Sequence, residues 1–233
     1  LAHQSSAPSR QHKKGRITNK PTTTQQSLVV WIGEIGIMKL RPSAKLPNTT
    51  AWATEIIGTT LADKGWCGAS LNRGLLRVHN AETGAEATLQ LHEAFGEGST
   101  DVVVFATDWQ GIHYAAGVLD DGAVVVVAGD IASARLEVIA PLEEFLVFVT
   151  TDRKAEEFFE RDVFKRFCTK NRLLGLQFDE CVSYKTPPML GGENIPENRE
   201  LTDMEVHWGL FGQIFHQVKD KQDGTQITEV TTE

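Results

Sequence analysis

The sequence predicts an α+β fold, a central and mainly antiparallel sheet flanked by helices. Two patterns lead there. Short apolar strands follow one another from Leu75 to Ala140, separated by Gly and Asp at hairpin spacing rather than by helix-length segments. The period then becomes helical, with apolar residues three and four apart from Ala155 to Cys168 and from Met204 to Val218. With 233 residues, 41% of them apolar, the chain can build a sizeable core.

Residues 1–27 are rich in Ser, Thr, Gln, Lys and Pro and nearly free of apolar side chains. Such a segment cannot offset its ordering entropy, so a disordered N-terminal arm is expected. Together with residues 28–46 it reads as an extension over 1–46, disordered or mis-started, because the chain opens on Leu1 and Met38 is a candidate start. The apolar run Ser27–Met38 carries Glu34 in its middle and no clean small-residue cleavage site, which argues against an export signal.

From Pro47 the pattern is globular. Trp52, Ile56, Ile57 and Leu61 lie at helical spacing, with Gly65 as a stop. "GLLRVHNAETG" reads as a short strand and a turn. "DVVVFATDW", "GIHYAAGVL", "GAVVVVAGD" and "ARLEVIA" read as strands. "PLEEFLVFVT" opens a helix with Pro141 and two acids in its first turn. A second helix puts Ala155, Phe158, Phe159, Val163, Phe164, Phe167 and Cys168 on one stripe. The last helix opens on Thr202 and Glu205 at capping-box spacing, with Met204, Trp208, Phe211, Ile214, Phe215 and Val218 as its stripe. The expected organisation is an extension over 1–46, an α+β domain over 47–150, a helical domain over 151–219 and a polar tail over 220–233.

The formal net charge is −8. Residues 1–33 hold five bases (Arg10, Lys13, Lys14, Arg16, Lys20) and no acid, so the body is more acidic than the total. An acidic body repels nucleic acid and favours basic partners. Three cysteines without a CxxC pair, Cys67, Cys168 and Cys181, argue for reduced thiols and a cytoplasmic setting. No apolar run reaches the ~20 residues of a membrane span.

Candidate chemistry is sparse. "KTPPMLGGENIPE" (185–197) could be a glycine loop for phosphate or a docking turn. Pro187 and Pro188 remove two amide donors, and Glu193 and Glu197 would repel an anion, which favours the turn. His207 and His216 lie more than two helical turns apart and cannot easily share a metal. Cys67 follows a helix C-terminus, where the dipole raises a thiol pKa. Glu143–Glu144 and Glu156–Glu157 are adjacent on helices and face different ways, and Asp120–Asp121 precedes a glycine as a hairpin turn does. No catalytic residue, cofactor or metal is expected. Two rival readings remain: a hydrolase using His113 or Cys67, and a nucleic-acid-binding arm over residues 10–20.

"LADKGWCGASLNRGLLRV", "FATDWQGIHY" and "LEVIAPLEEFLVFV" resemble the GAD-like domain. "NRLLGLQFDECVSYKTPPMLGGENIPENRELTDMEVHWGLFGQI" resembles the domain that accompanies it in bacterial type VI secretion DNase-immunity proteins. The matching positions are Gly175, Leu176, Glu180, Pro188, Leu190, Gly191, Gly192, Val206, His207 and Gln213; Gln110 and Gly111 stand where the family often has Gly-Asp. The resemblance implies an immunity protein that binds one cognate secreted toxin, a basic nuclease, and inhibits it stoichiometrically. An acidic protein would steer onto a basic groove. The expected contact residues are Glu193, Glu197, Glu200 and Asp203, with Trp109 as an aromatic anchor. A housekeeping interaction module without a toxin is the alternative. "KTPPMLGG" is expected to pack the last helix against the sheet.

Overall fold

The computed structural model describes residues 40–99, 101–151 and 154–221. Seven strands form one antiparallel meander: β1 Pro42–Lys45, β2 Ala69–Leu71, β3 Leu76–Val78, β4 Val102–Asp108, β5 His113–Val118, β6 Val124–Asp130 and β7 Arg135–Pro141. Period-two alternation sends side chains to opposite faces. In β6, Val126 joins one apolar cluster while Val125 and Val127 join the other. Ala115 and its neighbours Tyr114 and Ala116 divide the same way in β5. Both faces are therefore buried and both need covering.

One face is covered by α1 Thr54–Ile57, α2 Thr60–Asp63, α4 Leu142–Thr151, α5 Ala155–Phe158 and α6 Arg161–Asn171. Phe145, Phe148, Phe159, Phe164 and Phe167 fill it. The other face is covered by α3 Ala81–Phe95 and α7 Met204–Val218, with Leu91, Ala94, Trp208, Phe211 and Ile214 packed inward. A separate antiparallel pair, β8 Glu180–Tyr184 and β9 Arg199–Asp203, precedes α7. The α+β expectation holds.

Several local expectations change. The helix expected over 47–65 is two single turns, because Gly58 takes φ 69° between them. The turn expected after Val78 is the start of α3. Asn80 caps it by accepting the amides of Glu82 (3.0 Å) and Thr83 (2.9 Å), and Thr83 completes a capping box. The stripe from Ala155 to Cys168 is buried as expected, but Glu160 at φ 50° breaks it into α5 and α6. Asp203, not Thr202, caps α7. The disordered extension expected over 1–46 does not hold at its end: Leu40 is buried in the core and β1 pairs with β2. Residues 1–39, with the basic arm, Met38 and the apolar run, lie outside the described residues, as does most of the tail.

Candidate functional site

An exposed, acidic and partly apolar surface lies on β9 and the first turns of α7. β8 is covered on its inner side, where the Val182 amide donates to the Trp109 carbonyl (2.7 Å). Among the described residues β9 has no second strand beside it, so it is an open edge. Glu200, Leu201 and Asp203 are exposed along it. Asp203 ends the strand and starts the helix, its Oδ1 accepting the amides of Glu205 (2.8 Å) and Val206 (3.3 Å). The outer face of α7 then carries Glu205, Val206, Gly209 and Leu210. Val206 is 55% exposed and Leu210 37%, and their spacing puts them on one face. Ile195 and Leu201 are also exposed. Apolar side chains thus lie among five exposed acids (Glu193, Glu197, Glu200, Asp203, Glu205).

A buried polar layer holds this surface rigid. Arg199 is 7% exposed. Its guanidinium donates to Gln110 Oε1 (2.7 Å), Tyr184 Oη (2.6 Å) and Asn194 Oδ1 (2.8 Å) and lies 3.6 Å from the Tyr184 ring centroid. Gln110 also donates to Glu160 Oε2 (3.2 Å), so it joins the start of α6 to β9. Arg77 is fully buried in β3 and donates to the carbonyls of Glu180, Gln177, Phe178 and Asp108, docking the chain before β8 on the sheet.

Beneath α7 run buried histidines. His79 shares hydrogen bonds with Thr83 Oγ1 (3.0 Å) and Thr107 Oγ1 (2.7 Å). Thr107 Oγ1 continues to His113 Nδ1 (2.7 Å), and His113 stacks on Trp208 with centroids 4.1 Å apart. His207 Nδ1 pairs with Ser183 Oγ (2.8 Å). Burial, reinforced by Arg77, lowers the His79 pKa to about 3; burial and Arg199 do the same to His207. Burial holds His113 well below its ordinary value too. Asp108 is pushed up to about 7 by burial, against the amides of Ile112 and Gln110 and the Tyr114 hydroxyl. These groups are satisfied inside the core and offer no face to a substrate. Burial raises all three thiols, Cys181 to about 12, so none is poised as a thiolate. Among the described residues no three metal-ligating side chains converge, and no helix is long and apolar enough to cross a membrane.

The structure places the expected contact residues unevenly. Glu193, Glu197, Glu200 and Asp203 are exposed around β9. Glu197 meets Lys170 at 3.4 Å, an exposed pair of small worth. Trp109 does not fit the role of anchor: it has no exposed surface, and its Nε1 donates to the Phe159 carbonyl (2.7 Å). It is a core side chain, and the exposed apolar residues around β9 and the first turns of α7 are Ile195, Leu201, Val206 and Leu210. In "KTPPMLGG", the amides of Leu190, Gly191 and Gly192 turn back to the carbonyls of Pro187 and Pro188 at 2.8–3.1 Å, so they are already engaged and not free for phosphate. The Met189 amide donates to the Ala132 carbonyl (3.1 Å), and Met189 and Leu190 pack on the cluster holding Trp208 and Phe211. These contacts join the turn of Pro188, Leu190, Gly191 and Gly192 to the layer that holds α7. A Cβ on Gly111 would come within 2.9 Å of buried His207. Glu180 Oε2 accepts the Gln177 amide (2.8 Å), while Gly175 passes so close to Arg73 that a Cβ would sit 2.4 Å from its carbonyl oxygen.

Comparison with known proteins bears on the same region. Residues 140–215 match the family described as T6SS immunity protein Tdi1, C-terminal. The match takes in the end of β7, α4 to α6, the β8–β9 hairpin and most of α7. Among solved structures, the crystal structure of Atu4351 from Agrobacterium tumefaciens superposes with a TM-score of 0.52 at 16% identity, covering 74% of this chain and 86% of that one. At this identity the likeness is one of fold. No curated protein matches the chain.

Proposed function

We propose that the chain is an immunity protein that binds a cognate toxin of a type VI secretion system and blocks it by stoichiometric contact. The observation that carries this reading is the family match over residues 140–215, which contains the open β9 edge and the acidic, partly apolar face of α7. The toxin we infer is a nuclease. A nuclease carries a basic groove for the DNA backbone, and an acidic partner approaches such a groove under electrostatic attraction. Glu193, Glu197, Glu200, Asp203 and Glu205 supply the steering charge, and Leu201, Val206 and Leu210 supply the contact area that slows dissociation. On the resemblance of its quoted segments, the region over 47–150 is read as a GAD-like scaffold that presents this surface. Inhibition by occlusion requires no catalytic residue, cofactor, nucleic acid or membrane, and it would act in the cytoplasm, where the toxin's DNA target lies.

The test is protection in cells. Cells producing the candidate toxin should survive when the chain is co-produced. Charge reversal at Glu193, Glu200 and Glu205 together should slow association by at least tenfold at low salt, with the difference shrinking as salt rises. Full protection by the triple variant, with an unaltered association rate, would remove this surface from the account.

A further inference from the structure

We propose that a cleft between the β2–β3 hairpin and α6, on the far side of the fold's helical layer, is a binding site for a small organic phosphate. The cleft encloses about 680 Å³, within the range of small-molecule sites. Arg41, Arg73, Arg161 and Lys165 line it, against one acid, Glu156. That acid is already compensated: Arg161 lies 2.7 Å from Glu156 Oε2, and Asn72 Nδ2 donates to Oε1 at 2.7 Å. Arg41, Arg73 and Lys165 make no salt bridge among the described residues. The lining carries four cations against one acid, a net charge of +3, in a chain of net charge −8.

The hairpin that carries Asn72 and Arg73 is anchored, and the cations Arg41, Arg73 and Lys165 stand exposed around the cleft. Asn72 and Arg73 both take left-handed backbone angles, φ 48° and 64°, as the tight turn of a β-hairpin requires. The hairpin tip is fixed from several sides. The Arg73 amide donates to Ser43 Oγ (2.8 Å), and its carbonyl accepts the Leu176 amide (2.9 Å). Asn72 Oδ1 accepts the Arg41 amide (3.0 Å), so one side chain ties the strand edge to the buried Glu156. Gly74 and Leu176 approach so closely that a Cβ on Gly74 would come within 2.8 Å of the Leu176 side chain.

The chemistry of the lining selects the ligand. Planar guanidinium groups pair with phosphate oxygens through two parallel hydrogen bonds, and Lys165 adds a point charge. A lining of net charge +3 matches a multiply charged group better than a single carboxylate. Phe164, Leu173 and Leu174 offer an apolar wall for an organic body, Leu174 being 87% exposed at the rim. The chain's own first 33 residues carry five bases and no acid, so they do not complement the site. This site is separate from the β9–α7 surface, and the proposal stands or falls independently of toxin binding.

The test is calorimetry and thermal melting of the full chain with inorganic phosphate, pyrophosphate and ADP as probes. Pyrophosphate and ADP should bind at one site and raise the melting temperature, ADP at least tenfold more tightly than inorganic phosphate. The double variant R41A/K165A, at two exposed positions, should lose at least tenfold in affinity while melting as the parent does without ligand. L174D, which sets a carboxylate at the rim, should do the same. Absence of binding by pyrophosphate and ADP would overturn the proposal. So would binding that neither variant weakens.

Discussion

Lowering the pH from about 7 to about 5 perturbs three side chains that the fold holds neutral. His79 and His207, ordinarily near 6.5, fall to about 3 when buried, and His113 is held well below its ordinary value. The unfolded chain takes up these protons as the pH drops through 6.5, whereas the folded chain does not. Their contribution is therefore complete above 6.5 and declines as the pH falls. His79 and His207 each cost about 2 kcal/mol of stability over this interval, roughly 4 kcal/mol together, and His113 adds a loss of the same sign. Asp108 works the other way. Its folded pKa, about 7, lies above the ordinary 3.8, so its burial disfavours folding at neutral pH and does so less as it protonates. It returns about 2 kcal/mol. The net expectation for His79, His207 and Asp108 is a loss of about 2 kcal/mol, which His113 deepens. Urea denaturation at constant ionic strength, at half-unit pH steps, measures it. His207→Gln should lessen the loss toward pH 5 by about 2 kcal/mol, since the amide can still bond to Ser183. A stability that stays level or rises toward pH 5 would refute the buried, neutral histidines.

Two further perturbations probe the packing. A Cβ on Gly192 would lie 1.8 Å from the Thr186 carbonyl oxygen, while Gly191 at φ 83° faces open space. Gly192→Ala should thus cost about 3 kcal/mol and Gly191→Ala about 1 kcal/mol in chemical denaturation; the reverse order would contradict the turn geometry. Trp109→Ala should lower stability by about 3–5 kcal/mol, measured the same way, because the indole is fully buried and bonded to Phe159. An unchanged melting temperature with weakened toxin binding would restore Trp109 as a contact residue.

The sheet was legible because its signal is local: Val124 to Val127 form a short β-branched run bounded by Gly122 and Gly129, which reads as a strand whatever packs on it. The stripe of α7 was legible for the same reason. What escaped was set at long range. The small residues of α3 hide its helical period, and they are small because other elements press on it: Gly84 lies against the Trp52 ring, and Ala94 against Gly212 of α7. The break at Glu160 uses a left-handed residue that is not glycine, so no punctuation marks it. β8 and β9 carry Glu180 and Arg199 at positions a strand reading expects to be apolar, and Arg199 turns inward only because Gln110, Tyr184 and Asn194 await it. At the candidate site the acids were visible in sequence. The exposure of Leu201, Val206 and Leu210 was not, since nothing local separates an outward leucine from a core one.

The most direct test of the immunity reading is affinity capture of the full chain from its host, with the bound proteins identified and their stoichiometry measured by mass. The account predicts one partner in a one-to-one complex: a basic, secretion-linked protein that degrades DNA when freed from the chain. Recovery of the chain without that protein, from cells shown to contain it, would contradict the account.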